Sequence, residues 1–451
     1  MNKTLTEQLT DHILNIEYAQ LPEQAIEMAK QVALDGFAVM LAGATEPLGV
    51  GRISIEYTRE MGGHPQSTVI AGGFKTSMQN AAYVNGTMAH ALDYDNTWYP
   101  LNHPTSPTLP AILAIAEHYQ LDGKAIIEAI VTAFEVQGRL RLAATGMTTG
   151  SGFHKPGMTG TFGAVAAAIK LLKLDSTQAL MALGIAGSRA GSISINTGSM
   201  TKSSHSGHAA RMGVECGILA SKGWTASADV FGSKGFFDTF MGDNQKPHLL
   251  VENFANPLRM IDPGVGFKKH PSNYFTHRPI DGALALRQAH QITLQNIEQV
   301  EIIFPRFEYV NRQFPKTGLD GKFSVQYTTL IALLDGEITI DSFNNERRYA
   351  SDVSALLPHV HLIFDDAIPT DFDAMHCAVT VTLKNGEKHS QKIDKLSGWI
   401  GSPLSRDQRI KKFNLCAHRV LSQSNANQMI SYIERLDTLD NINDLMALAR
   451  N

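Results

Sequence analysis

Acid, base and hydroxyl side chains crowd into one stretch of this chain. Between Ala89 and Pro107 lie His90, Asp93, Asp95, Thr97, His103 and Thr105, with Trp98 and three prolines. Proline lacks an amide hydrogen and has a fixed φ, so Pro100, Pro104 and Pro107 make the second half of the stretch a loop. Polar groups of this kind are costly to bury without partners, and loops on a rigid scaffold are where binding and catalytic residues concentrate. Three more polar segments follow. They are Gly152-Phe153-His154-Lys155-Pro156-Gly157, the run from Thr201 through Lys202 and His205 to His208, and the run from Phe267 through Lys268, Lys269 and His270 to His277. Seven of the 17 histidines fall in these four segments, alongside lysines. If the segments converge, the pocket is cationic and suits a small polycarboxylate. Lysine supplies point charges for carboxylates, and histidine moves protons near neutral pH.

Each residue also has a plain structural use. Asp93 can cap a helix or turn, and His103 can hydrogen-bond within its proline-bounded loop. Lys202 can lie solvated on a surface, and Lys268 and Lys269 can be linker charges. The case for a site is the four clusters taken together. His90, Asp93, Asp95 and His103 are suitable metal ligands by type. There is, however, no His-Glu-x-x-His, paired-cysteine motif or EF-hand loop, and converging lysines repel a cation. No metal ion is expected. A Gly-x-Ser-x-Gly elbow is also missing, which disfavours a serine hydrolase.

The elements that must position these groups change character along the chain. At 451 residues, two domains are expected. Residues 1–265 read as helix, with Ile26, Ala29, Ala33, Phe37 and Met40 at helical spacing. Pro110 is well placed to open the helix that follows it. Two small-residue segments, Gly160–Ala168 and Gly184–Gly191, read as central, tightly packed helices. Gly157, Gly160 and Gly163 follow no strand, so they do not make a dinucleotide fingerprint. Beyond 265, Gln299–Phe304, His359–Phe364 and Ala378–Leu383 read as strands. Asn385-Gly386 supplies a hairpin turn, and a helix is expected over Val325–Leu334. From Ser405 the chain is helical again. The expectation is a mainly α fold with an inserted α+β domain: residues 1–265 and 400–451 form the large helical domain and 266–399 the smaller α+β lid.

Composition narrows the function classes. The chain is 43% hydrophobic and 18% charged, as globular proteins are. A net charge of −4 gives no footprint for nucleic acid. No apolar run is long enough to span a membrane, and the N-terminal residues do not have the form of a signal peptide. Cys216, Cys377 and Cys416 are scattered, which suits a reducing cytoplasm rather than a disulfide framework.

The Asp93–His103 loop, the Phe153-His154-Lys155-Pro156 segment, Thr201-Lys202 and Phe267-Lys268 together resemble the MmgE/PrpD family, in the same order and over nearly the whole chain. Local strings resemble its animal-type cis-aconitate decarboxylases: Glu135–Leu140, Tyr309–Pro315, Ser324–Tyr327 and Leu333–Thr339. The longer insert expected of the methylcitrate dehydratases, with its Ala-Glu-Trp-Gly-like string, is missing. The resemblance implies a helical domain built from both chain ends, an inserted lid, a homodimer, and a site between the domains for a small polycarboxylate. It also implies site residues. Asp93, Thr97, His103, His154 and Tyr327 would be catalytic, and Lys202, Lys268 and His277 would bind substrate. Departures are Asn273, where a histidine is expected, Thr105-Ser106-Pro107 and His270.

The implied reaction is decarboxylation of cis-aconitate to itaconate without a cofactor. His103 would protonate carbon with Asp93 orienting it, while Tyr327 and His154 would position substrate or relay a proton. The rival on the same scaffold is dehydration of 2-methylcitrate or a related tricarboxylate. Epimerisation of an amino-dicarboxylate and a non-catalytic tricarboxylate binder are further alternatives.

Overall fold

The computed structural model describes residues 2–147, 152–241, 245–290 and 292–450. The first half is built from helices α1 (Leu5–Leu14), α2 (Glu23–Gly43), α3 (Val50–Met61), α4 (Met78–Ala91), α5 (Leu109–Tyr119), α6 (Gly123–Ala143), α7 (Lys155–Leu171), α8 (Ser176–Gly187) and α9 (Met200–Ser221). Local chemistry sets several helix starts. The Thr4 hydroxyl accepts from the Glu7 amide while the Glu7 carboxylate accepts from the Thr4 amide, a reciprocal cap on α1. Ser77, Asp122 and Asp175 cap α4, α6 and α8 in the same sense. Pro110 and Pro156 stand in the first turns of α5 and α7, where a missing amide hydrogen costs nothing. A two-strand hairpin, β1 (Ser67–Thr68) with β2 (Lys75–Thr76), lies between α3 and α4.

Helices α4, α7 and α9 pack closely at the centre because their facing surfaces carry small residues. A Cβ on Gly86 of α4 would lie 2.9 Å from the Gly207 Cα of α9. One on Gly213 of α9 would lie 2.4 Å from the Ala164 Cβ of α7. Larger side chains would force the helices apart, so Gly160–Ala168 packs as its composition leads one to expect. The segment Gly184–Gly191 differs. Helix α8 ends at Gly187, Gly184 and Gly187 abut Ser227 and Val230, and Gly191 has no neighbour within 4 Å of its Cβ position. A run of glycine and serine has too little helix propensity to continue the helix there.

The second unit has a sheet of order β4-β3-β5-β6. Its strands are β3 (Ile297–Phe304), β4 (Val360–Phe364), β5 (Cys377–Leu383) and β6 (Lys388–Ile393). Strands β3 and β4 are parallel, with Val300 opposite Val360. A parallel pair needs a crossover, and the helix Val325–Asp335 lies in that connection. Strands β5 and β6 form the expected hairpin, and Gly386 takes the left-handed φ of 87° that its turn requires. Alternate residues of β5 are buried, as a half-covered strand dictates. Phe304, Leu330, Val360 and Val379 share this unit's core.

The chain then returns. Phe413, Met429, Ile433 and Leu445, on helices Arg406–Ala417, Gln423–Glu434 and Asn443–Arg450, share a core with Phe37, Met40, Ile112 and Ile130. Three of the four polar clusters thus hang from helix ends, the C-terminus of α4 and the N-termini of α7 and α9, with α9 packed against both of the others. The fourth, Phe267–His277, leads into the sheet unit. Among the described residues, no helix is long and apolar enough to cross a membrane.

Candidate active site

Helix α4 stops at Ala91, and Asp93 follows with φ 49°, a left-handed conformation that Asp tolerates better than most residues. Lys322, fully buried in the sheet unit, donates to the Ala91 carbonyl at 3.2 Å, placing a cation at the negative end of α4. Inside this turn, Lys202 Nζ donates to Asp93 Oδ1 at 2.6 Å. Lys268 Nζ lies 3.2 Å from Asp93 Oδ2 and donates to the Asp93 carbonyl at 2.5 Å. Burial alone would favour a neutral Asp93. The ammonium groups of Lys202 and Lys268, with His103 and His90, outweigh it and hold the carboxyl well below the usual range. Burial pushes Lys268 down, and Asp93 opposes that shift.

His103 faces the cavity with a carboxylate on each side. Its Nδ1 is 3.2 Å from Asp95 Oδ2 and its Nε2 is 3.6 Å from Asp93 Oδ1. Neither contact is an aligned hydrogen bond, since Nδ1 has no partner of hydrogen-bond geometry and the Nε2 contact is too long. Asp95 is shared with His90, whose Nδ1 is 3.0 Å from Oδ1. Burial disfavours the Asp95 anion, but His103 and His90 hold it well below the ordinary range. Asp93, expected beside His103, is there at 3.6 Å. Asp95 is the nearer carboxylate, while the two lysines occupy Asp93.

The loop is braced from below. Lys412 pairs with Asp35 at 2.6 Å and donates to the Tyr94 carbonyl at 2.8 Å, and Asp35 accepts from the Asn96 amide at 3.1 Å. Thr97 donates its hydroxyl to the Asn102 carbonyl at 2.6 Å, closing the turn that carries His103. The Thr97 backbone bonds Gly266 in both directions, at 2.9 and 2.7 Å, which ties the loop to the entry of the sheet unit.

A cavity of about 460 Å³ opens between the units. Asp93, Thr97, His103, His154, Lys202 and Lys268 all line it, so six of the eight expected site residues converge. His154 immediately precedes α7 without a side-chain cap bond, and its Nδ1 is 3.0 Å from Nδ1 of His205. Rings of His103, His90, His154 and His205 succeed one another at centroid separations of 4.7, 5.5 and 5.0 Å. The other two expected residues lie elsewhere. Tyr327 sits in the core of the sheet unit, where its hydroxyl donates to the Ser342 carbonyl at 2.6 Å, so it does not touch a ligand in the cavity. His277 is fully buried behind Tyr274, with its Nε2 3.3 Å from the Ser272 carbonyl. Burial, then His270 and Lys268, push its imidazole well below its ordinary range, so it is a neutral ring and a poor carboxylate ligand.

In their place the wall holds Tyr309, next to Thr197, and Tyr274. The Tyr274 hydroxyl is buried without a protein partner among the described residues. Both tyrosines lie in strings noted in the sequence, but nothing in those strings distinguishes a cavity-facing tyrosine from a packed one. Asp95 had entered only as a metal-ligand type, and Lys412 and Asp35 carry no local signal.

Ligand-type atoms of His90, Asp93, Asp95 and His103 lie within 4.8 Å of one another. Lys202 and Lys268 already supply the positive charge to Asp93, and an arriving metal ion would meet both. The arrangement is better suited to receiving anions.

The histidines make stability depend on pH. Burial, then Lys202, pushes His205 down to about 4, and burial likewise holds His90 at about 4 against the pull of Asp95. Unfolded histidine titrates near 6.5, so between about 6.5 and 4 the unfolded chain binds more protons and stability falls as pH drops. Urea midpoints should decline from pH 7 to pH 5. A flat profile would contradict buried, neutral imidazoles.

Two family models match the chain in succession. The MmgE/PrpD N-terminal domain model matches residues 7–248 and the MmgE/PrpD C-terminal domain model residues 270–438. A cis-aconitate decarboxylase from Mus musculus is 31% identical, over 100% of this chain and 94% of its own. One from Aspergillus terreus is 25% identical over 96% of this chain and 93% of its own. A 2-methylcitrate dehydratase from Cupriavidus necator is 24% identical over 76% of this chain and 77% of its own. With both domain models matched in order and full-length identity to a member, the chain belongs to the MmgE/PrpD family.

Proposed function

We propose that this protein decarboxylates cis-aconitate to itaconate by acid–base chemistry of its own side chains, without a metal or organic cofactor. The observation that carries the reading is His103, held beside Asp95 and presented to a lysine-lined cavity. It is supported by full-length similarity to cis-aconitate decarboxylases, whereas the dehydratase matches cover less of the chain at lower identity.

The substrate's departing carboxylate is on a carbon next to the C=C bond. When that C–C bond breaks, its electron pair forms a new C=C bond and CO2 leaves. The old π pair moves to the carbon bearing a retained carboxylate, and that carbon takes one proton. His103 donates it and recovers one from solvent, so one proton is consumed per CO2 released. Negative charge develops toward the retained carboxylate, where Lys202 and Lys268 can stabilise it. Thr97 holds the His103 turn in place, and His154, backed by His205, lines the same wall.

The same reading takes residues 1–265 with 400–451 as the helical domain and 266–399 as a lid over a small tricarboxylate. It takes the protein as a homodimer, as the resemblance implies. Three free, buried cysteines suit the reducing cytoplasm. Purified protein should convert cis-aconitate to itaconate and CO2, with a chelator making no difference, and should leave 2-methylcitrate unchanged. Water loss from 2-methylcitrate with no itaconate from cis-aconitate would favour the dehydratase reading instead.

A further inference from the structure

The charged residues lining the cavity are Asp93, Lys155, Lys202 and Lys268. Two of the three lysines are already engaged, since Lys202 and Lys268 share the one aspartate. Lys155 is not. It is the first residue of α7, half-buried, next to His154. Among the described residues, no acidic group lies within ion-pair distance of it. Behind it on α6 stands Arg141, nearly buried and also without an acidic partner among the described residues. Among the described residues, the Arg141 guanidinium reaches the Ala144 carbonyl, at 3.4 Å, and its Nε has no hydrogen-bond partner. Two adjacent cations at a cavity wall, with no acidic partner among the described residues, are an unfavourable arrangement that an incoming anion relieves.

We propose that Lys155, backed by Arg141, binds one of the carboxylates that the substrate keeps. This rests on the polycarboxylate reading above and adds a residue to it. The lysine is matched to a retained carboxylate and not to the departing one, because a cation on the departing group would stabilise the charge that must disappear. Leu101, Phe153, Ile193 and Phe275 give the same cavity an apolar wall for the group that leaves. Burial, with Arg141, pushes Lys155 down to about 8, so it still carries its charge at pH 7.

The test is Lys155→Met, which keeps the apolar stem, with Lys155→Arg as the charge-restoring control. The probes are cis-aconitate for kinetics and tricarballylate for calorimetry. Tricarballylate is the saturated tricarboxylate, with no double bond to shift, so it binds without reacting. Lys155→Met should raise KM for cis-aconitate and Kd for tricarballylate by about 10–100-fold, the scale for removing one partner of a shielded ion pair. It should leave kcat within about 3-fold, since a contact made equally in ground and transition states acts on KM alone. Lys155→Arg should recover most of the affinity. KM and Kd within about 2-fold of the parent protein, a loss confined to kcat, or no recovery with arginine would each overturn the assignment. Lys155-dependent tricarballylate binding without itaconate formation would keep this assignment and sink the decarboxylase reading. Itaconate formation with Lys155→Met unchanged would do the reverse.

Discussion

His103→Ala should lower kcat for itaconate formation by about 10²–10⁴-fold, the usual range for a positioned general acid. KM should move only a few-fold, because the imidazole acts on carbon and the carboxylates are held by other groups. Its position explains the size of the effect. The ring faces the cavity, its turn is closed by Thr97, and Asp95 and Asp93 flank it at 3.2 and 3.6 Å. Asp95→Asn should give a smaller loss in the same parameter, since it leaves the imidazole present but changes what orients it. Near-parental turnover by His103→Ala, measured as CO2 release, would remove His103 from the acid role.

Asp93→Ala should be the most damaging single change to stability near the site. It removes the shared partner of two buried ammonium groups, and breaking a buried ion pair from one side costs about 3–5 kcal/mol. Alanine at φ 49° adds about 1 kcal/mol of backbone strain. Asp93→Asn separates the two contributions. Asparagine tolerates the left-handed turn but cannot neutralise Lys202 and Lys268, so most of the loss should remain. The sign with pH follows from the depressed carboxyl of Asp93. Its contribution is fully present above the unfolded value near 3.9 and is lost only as pH falls through the lower folded value. At pH 7 the whole effect is therefore visible in urea unfolding. A loss below about 1 kcal/mol for both variants would mean that the two lysines do not depend on Asp93.

The fold was legible where local chemistry decides it. Helix periodicity gave α2, proline placement gave the start of α5, and β-branched runs with Asn385-Gly386 gave three strands and the hairpin. Polar clustering picked out residues that line one cavity because the clusters fall at helix ends, and small residues let α9 approach both α4 and α7. The direction of a single side chain was not legible. Tyr327 and Tyr309 both occur in strings that read alike, yet one packs into the core of the sheet unit and the other lines the cavity. His277 has the right residue type in the right segment, but Tyr274 stands between it and the cavity. Asp93 and Asp95 are two residues apart, and only the arrival of Lys202 from α9 and Lys268 from the link to the sheet unit decides which pairs with lysine and which with histidine. The Lys412–Asp35 brace joins residues separated by most of the chain, and neither has a local pattern that announces it.

The most direct measurement is NMR of the product formed from cis-aconitate in D2O. Protonation by His103 at the former vinylic carbon should give itaconate with one deuterium on its saturated methylene carbon and none on the new =CH2 group, with one CO2 released per itaconate. Deuterium on the =CH2 carbon, or consumption of cis-aconitate without itaconate, would contradict this chemistry.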